Sequence, residues 1–467
     1  MDKQKKRNPM SKKPFLLNDD QMQRFVRDGY IALQVGMPVD YNEALCARVD
    51  HILDTEGNPG NNIIPRVPEL QDLLDNPVLQ GALLSVLGSG YYLHPHRYYH
   101  GNDPGMLDQT LHKDATTYSG DEDIRDHRCR WVMVFYYPHE VAPPMGPTAI
   151  QPGTQYYETL SNDPDNAELL LYAPAGTAFL VHFDLWHRGR GNAAPVRRHM
   201  LKLVFGRTAE PKTPSWNATD PEWHAADGDK HPLLWRSHWN WLRGESHRPA
   251  SDTPPDPNQV PALVEALGAS GEADALNAAY ALSAVGSPAI PALVAALRED
   301  ATVRRRAALA LSLIPGADSA LRTAAADPDP RVRAVAVDAL AEQPAQDDSV
   351  AALVGALDDS DPWVRRHAAD ALGTLGSPAA ADGLARRLAD PEAFVRHNAA
   401  TALMKLGPSA AAAVPALIPA LRDPDRYTRA MAGLALRRIG GPEATEALLD
   451  TLLTERWCAI TNSVSRF

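Results

Sequence analysis

Two patterns of apolar and polar positions divide this chain near residue 250. Ahead of that point, short apolar runs rich in Tyr, Trp and β-branched residues are separated by His, Pro and Gly. Residues 15–34 read as a polar-capped helix, started by Asn18-Asp19-Asp20-Gln21, that turns at Gly29 into a strand. A second amphipathic helix is expected over 40–57. The runs 91–93, 130–137, 178–183 and 200–205 are β-rich, and short strands with turn residues between them suit an antiparallel barrel or sandwich.

Beyond residue 250 the grammar is helical and periodic. The pattern Val-Arg-x-x-Ala-x-x-Ala-Leu begins at Val303, Val332, Val364 and Val395 and recurs at Thr428, in steps of 29, 32, 31 and 33 residues. A period of that size belongs to helix-pair solenoids. Alanines and leucines three and four apart give each helix one apolar stripe for its neighbours. Asp327-Pro328, Asp361-Pro362, Asp390-Pro391 and Asp423-Pro424 are expected to cap helices, with proline in the first turn. Gly373, Gly376, Gly407 and Gly440 are expected to end them. A degenerate first unit around Asp274–Leu282 is expected to act as a polar capping repeat. The segment 246–257, with Pro249, Pro254, Pro255 and Pro257, reads as a stiff linker.

Composition narrows the function. A net charge of -12 over 467 residues argues against nucleic-acid binding, which rests on neutralising phosphates. The basic cluster in residues 1–14 reads as a solvated tail, and 456–467 as a C-terminal tail. Three scattered cysteines imply no disulfide framework and suit a reducing cytoplasm. No apolar run approaches the length needed to span a bilayer, so neither a membrane nor a nucleic-acid partner is expected.

The candidate chemistry lies in three side chains. His112 and Asp114 are one residue apart, so in a strand both face one way. His187, following a strand, supplies a third vertex. Two histidines and one carboxylate are the set that holds non-haem Fe(II) on one face and leaves positions open. Arg198, eleven residues beyond His187, stands where a 2-oxoglutarate carboxylate needs a bidentate partner, while Arg197 faces the other side. Gln109 is a weaker cosubstrate contact. Arg188 and Arg190 flank the ligand and are candidate contacts for an anionic substrate, or else a rim paired with carboxylates. His100, with His94 and His96 among tyrosines, either lines a pocket or belongs to a half-buried strand. His182 is a rival ligand. The polar stretch 115–127 is a candidate lid.

Residues 15–208 resemble the phytanoyl-CoA dioxygenase family of Fe(II)/2-oxoglutarate oxygenases. The resemblance is carried by Leu17-Asn18-Asp19-Asp20-Gln21 through Asp28-Gly29-Tyr30, by Gln109 to Asp114, and by Gly146-Pro147-Thr148. Pro152-Gly153-Thr154 and the run from Gly176 through His187, Gly189 and Asn192 to Arg198 complete it. Gln155 replaces the family's usual histidine. The resemblance implies a double-stranded β-helix (jelly-roll, cupin-like) with flanking helices over 15–245. It also implies Fe(II) on His112, Asp114 and His187, 2-oxoglutarate on Arg198, and O2 as oxidant. Because Asp114 is a carboxylate, it implies hydroxylation rather than halogenation. Residues 258–455 resemble HEAT-like repeats of the phycobilin-lyase type and imply an all-α solenoid.

These readings predict an oxygenase that hydroxylates an unactivated C–H of a small molecule or of a carrier- or peptide-bound substrate in secondary metabolism. Decarboxylation of 2-oxoglutarate to succinate and CO2 would be coupled to it. The repeats would bind a protein partner or a second copy of the chain. The competing reading is a non-catalytic HEAT adaptor with a vestigial oxygenase domain.

Overall fold

The computed structural model describes residues 14–114, 127–161, 163, 166–225, 229–246 and 251–454. Both tails and all but the last residue of the expected lid lie outside them.

The first helix, α1 (Asp19–Asp28), is started by a capping box. The Asn18 side chain accepts from the Gln21 N–H, and the Gln21 side chain accepts from the Asn18 N–H. It ends at Gly29, whose φ of 79° is left-handed. A Cβ there would also lie 2.6 Å from Gln155 Oε1, so two constraints fix this glycine. The chain continues through β1 (Tyr30–Gln34), α2 (Val39–Glu56), α3 (Ile63–Arg66), α4 (Leu70–Leu74) and α5 (Pro77–Leu87). Then come β2 (Tyr92–Tyr99), β3 (Trp131–Tyr137), β4 (Thr148–Ile150), β5 (Leu169–Leu170), β6 (Thr177–His182), β7 (His187–Gly189), β8 (Leu201–Gly206) and α6 (Pro232–Leu242).

The strands form two antiparallel sheets, ordered β1-β6-β3-β8-β2 and β5-β4-β7. Strand alternation sorts the larger sheet's residues into two cores. Val132, Val134, Tyr136, Leu180, Leu201 and Leu203 join the cluster built with the flanking helices. Met133, Phe135, Tyr137, Phe179, Val181, Met200 and Val204 fill the space between the sheets with Ile150 of β4. This is the jelly-roll architecture, with helices on one side.

The C-terminal half is helical: α7 (Val260–Ala266), α8 (Glu272–Val285), α9 (Ile290–Ala296), α10 (Ala301–Ser312), α11 (Asp318–Ala324), α12 (Pro330–Leu340) and α13 (Asp347–Ala356). It closes with α14 (Pro362–Leu375), α15 (Ala381–Arg387), α16 (Ala393–Leu406), α17 (Val414–Ala420), α18 (Arg426–Ile439) and α19 (Pro442–Thr454).

The recurring arginines bind successive units together. Arg333, Arg365 and Arg396 clasp Asp359, Asp390 and Asp423 of the following unit, Nε to Oδ2 at 2.8, 2.8 and 2.7 Å. Each also donates to carbonyls of its own turn. This corrects the expected capping. Of the four Asp-Pro aspartates only Asp361 is an N-cap. Asp327, Asp390 and Asp423 sit two residues ahead of the caps Asp329, Glu392 and Asp425, accepting the cap's N–H and, in the last two, the preceding unit's arginine. Gly376, Gly407 and Gly440 do end helices. Gly373 does not: it lies inside α14, where an added Cβ would come 2.8 Å from Ala402 Cα of α16. Residues 393–420 have the length and apolarity of a membrane span, which the sequence reading denied. The structure breaks the stretch near Gly407, with 56% of the apolar window buried inside the array.

The first unit is not a solvent-facing cap either. Its α8 packs on the N-terminal half: Tyr280 meets His127 Nδ1 at 3.0 Å, Glu272 accepts from Thr159, and Asn277 bonds His231. Further along, Arg305 of α10 pairs with Glu158 at 2.7 Å. Glu342, just after α12, takes Arg130 at 2.6 Å and Arg128 at 3.5 Å. His397 of α16 lies against His94, and Tyr427 of α18 bonds His96 Nδ1 at 3.0 Å. The array is therefore fastened to the jelly roll from its first unit to its last repeat, by even-numbered helices or the turn that follows one.

Candidate metal centre

His187 is brought to the site by β7, whose register pairs it with Ile150. His112 lies opposite it, exchanging both backbone hydrogen bonds at 3.0 Å, so the smaller sheet gains a short fourth segment. The parity argument holds. His112 and Asp114 face the ligand position, while Lys113 between them points away, is 1% exposed, and donates to the carbonyls of Thr154 and Gln155.

The ligand atoms of His112, Asp114 and His187 lie within 4.8 Å of one another. Asp114 Oδ1 stands 4.0 Å from His112 Nε2 and 3.9 Å from His187 Nε2. The other nitrogen of each ring is committed: His112 Nδ1 to the Thr110 carbonyl at 2.8 Å, His187 Nδ1 to the Leu185 carbonyl at 2.9 Å. A carbonyl only accepts, so each Nδ1 carries the proton and each Nε2 lone pair is left for the centre. Burial, then the Lys202 ammonium, hold His187 neutral, far below an ordinary imidazole. Burial opposes ionisation of Asp114, yet its neighbours, Lys202 foremost, together outweigh it and keep the carboxyl below its usual range. A neutral His187, an ionised Asp114 and a His112 whose Nδ1 is committed elsewhere suit a divalent ion, and the donor set fits Fe(II).

Arg198 is 3% exposed. It pairs with Asn102 and shares strand parity with Met200 and Val204, so it faces the space between the sheets. Its Nε donates to the Gly146 carbonyl at 3.1 Å, and its guanidinium lies over the Tyr137 ring at 5.6 Å. Its Nη1 is buried with no hydrogen-bond partner. Arg197 faces outward, as expected, onto Asp50 and Asp103.

The remaining candidates are placed as follows. Gln109 is exposed and its carbonyl accepts from the Gly189 N–H at 2.9 Å, bracing β7. Arg188 and Arg190 form a cluster with Asp108 and Glu168, an arrangement that favours the rim reading. His182 lies near Phe25 and Tyr156, away from the ligand cluster. His100 turns a buried, unpartnered Nε2 inward. His94 and His96 both meet Tyr427 of the array. Gln155, in place of the family histidine, donates to the Val26 and Arg27 carbonyls and pins the Pro-Gly turn to α1.

The sequence reading missed Lys202. It is 3% exposed on β8, its ammonium rests on Asp114 Oδ2, and it lies cross-strand from both Phe135 and Tyr98. The signal was present: one charge inside an otherwise apolar strand, Leu-Lys-Leu-Val-Phe. Tyr427 gave no signal, because its role depends on where α18 comes to rest.

Comparisons with known proteins bear out the helical half. A family profile described as HEAT repeats matches residues 318–404 and 388–461, and one described as PBS lyase HEAT-like repeat matches 274–299. The C-terminal region is thus a HEAT-repeat array. No curated protein matches the chain as a whole in sequence. Among solved structures, EctD from S. alaskensis with 2-oxoglutarate and 5-hydroxyectoine aligns at 20% identity and TM-score 0.35, over 41% of this chain and 77% of its own. The non-heme alpha ketoglutarate dependent carbocyclase SnoK from nogalamycin biosynthesis aligns at 16% and 0.34, over 42% and 88%. The epimerase SnoN from the same biosynthesis aligns at 13% and 0.35, over 41% and 80%.

Proposed function

We propose that the N-terminal half is an Fe(II)/2-oxoglutarate-dependent oxygenase that uses O2 to hydroxylate an unactivated C–H bond. The substrate is a small molecule or a group presented on a carrier or peptide. The observation that carries the reading is the conjunction of the His112, Asp114, His187 cluster with Arg198, whose buried Nη1 has no hydrogen-bond partner. His112, Asp114 and His187 would hold the iron, and Arg198 the distal carboxylate of 2-oxoglutarate. When bound, iron and cosubstrate supply the oxidising power, with succinate and CO2 as the other products. The protein's own part is orientation and dryness. The two carbonyls fix the imidazole tautomers, Lys202 fixes which oxygen Asp114 offers, and the apolar residues between the sheets exclude water.

The array's even-numbered helices are engaged by the jelly roll, so a protein partner would use the opposite, odd-numbered helices. Such association is a common use of HEAT repeats. A reducing, cytoplasmic setting suits a ferrous site and the thiols of Cys46 and Cys129.

The test is an anaerobic titration of apoprotein with Fe(II) and 2-oxoglutarate, following the visible charge-transfer band of the chelate. The band should form in the wild type and be lost in His112→Ala. A folded wild type that gives no band refutes the reading.

A further inference from the structure

The charges around the triad do not balance. Lys202 of β8 and Arg198, just ahead of that strand, both face the space between the sheets and are each 3% exposed. Among the described residues the only carboxylate paired with either is Asp114. On the oxygenase reading, which this inference rests on, a divalent ion adds two positive charges and 2-oxoglutarate returns two negative ones. One buried positive charge then stays uncompensated, and it falls on Lys202, because Asp114 must share its carboxylate with the metal while Arg198 takes the cosubstrate. A buried cation without a counter-ion is costly enough that a site built this way calls for an anion.

The surroundings say where that anion sits. Tyr98 is the cross-strand neighbour of Lys202, and the rings of His96 and His100 flank Tyr98 at 6.4 and 5.1 Å. His100 Nε2 is buried with no hydrogen-bond partner. His96 is fixed from behind by the Tyr427 hydroxyl, and Tyr427 carries the Arg426 guanidinium 4.7 Å above its ring. The far wall of this corner is thus made by the start of α18, and it adds positive charge.

We propose that Lys202 is the substrate-binding cation of this site. The substrate carries an anionic group, a carboxylate, sulfate or phosphate ester, seated between Lys202 and His100 with its oxidisable carbon turned to the iron.

The experiment uses the full chain loaded with Co(II) in place of iron and with 2-oxoglutarate, titrated separately with sodium benzoate and sodium sulfate. Binding is read by calorimetry and by the visible cobalt spectrum. Saturable uptake of at least one anion is expected, and which one binds distinguishes a carboxylate from a tetrahedral oxyanion. Lys202→Met and Lys202→Gln should weaken it at least tenfold while 2-oxoglutarate affinity stays within threefold, and Lys202→Arg should retain it. Thermal unfolding identifies which neutral variant is folded. The proposal is overturned if wild type takes up neither anion, if the folded neutral variant binds anion as well as wild type, or if it loses 2-oxoglutarate instead. Wild type that takes Co(II) but no 2-oxoglutarate refutes the oxygenase reading and the proposal with it. Uptake of both without anion binding refutes the proposal alone.

Discussion

Replacing Arg198 by Met tests the cosubstrate assignment most directly. Methionine keeps much of the side-chain bulk against Tyr137 and removes the charge and every donor. In the folded protein only Nε has an identified acceptor, the Gly146 carbonyl, while Nη1 is buried and free. Cutting out the residue therefore sacrifices one neutral-acceptor hydrogen bond in the free protein and leaves no carboxylate stranded. In the complex it sacrifices a charge-assisted bond to 2-oxoglutarate, worth about 1.5–3 kcal/mol. At about 1.4 kcal/mol per tenfold, the dissociation constant of 2-oxoglutarate should rise roughly 10- to 150-fold. Metal affinity should not move, since Arg198 has no identified contact with His112, Asp114 or His187. Calorimetry with Mn(II) measures both constants on one sample. A change below threefold in 2-oxoglutarate affinity, with metal binding intact, would show that Arg198 faces no cosubstrate and is a structural cation.

Three further outcomes follow from the packing. Glu342→Ala removes the shared acceptor of Arg128 and Arg130 between the two halves and should cost about 2–3 kcal/mol in urea unfolding; an unchanged midpoint would show that Glu210 and the Ser237 carbonyl suffice. Gly373→Ala should destabilise by about 1–3 kcal/mol through the clash with Ala402, exceeding the roughly 1 kcal/mol that alanine gains in a helix; a higher melting temperature would refute the close approach. Burial pushes His199 down to about 4 and holds His238 well below 6.5, so both stay neutral in the fold while the unfolded chain takes up protons. Their contribution is complete above about pH 6.5 and is lost as the pH falls from there toward 4; stability that rises on acidification through that window would contradict it.

Legibility followed the range of the interactions. The triad could be read because a spacing of two in a strand is a geometric statement. The repeat could be read because its Val-Arg positions recur from unit to unit, and three of those arginines, Arg333, Arg365 and Arg396, make the same clasp. Arg198 and Arg197 were separable by parity alone. By contrast, α5, Pro-Val-Leu-Gln-Gly-Ala-Leu-Leu-Ser-Val-Leu, is apolar on nearly every side and shows no helical stripe, so it was not foreseen. Tryptophan-rich α6 was hidden the same way, because both its faces are used, one toward α1 and one toward α8. Asp327, Asp390 and Asp423 were assigned to helix caps because a local rule describes Asp-Pro well. Their other duty, as anchors for an arginine about 25–29 residues back, is settled only when the helices stack. The seam between the halves joins residues hundreds of positions apart, as with His96 and Tyr427, and no window along the chain contains both.

Most solenoids gain and lose units freely, because each repeat answers only to its neighbours. Here the run from Tyr280 to Tyr427 works as a ruler. Its start is fixed at His127 and its finish at His96, beside the corner that holds Lys202. Inserting or deleting one unit anywhere between would carry α18 off that corner while leaving every repeat individually sound. Copy number, ordinarily neutral in such arrays, is in this chain a dimension of the candidate site.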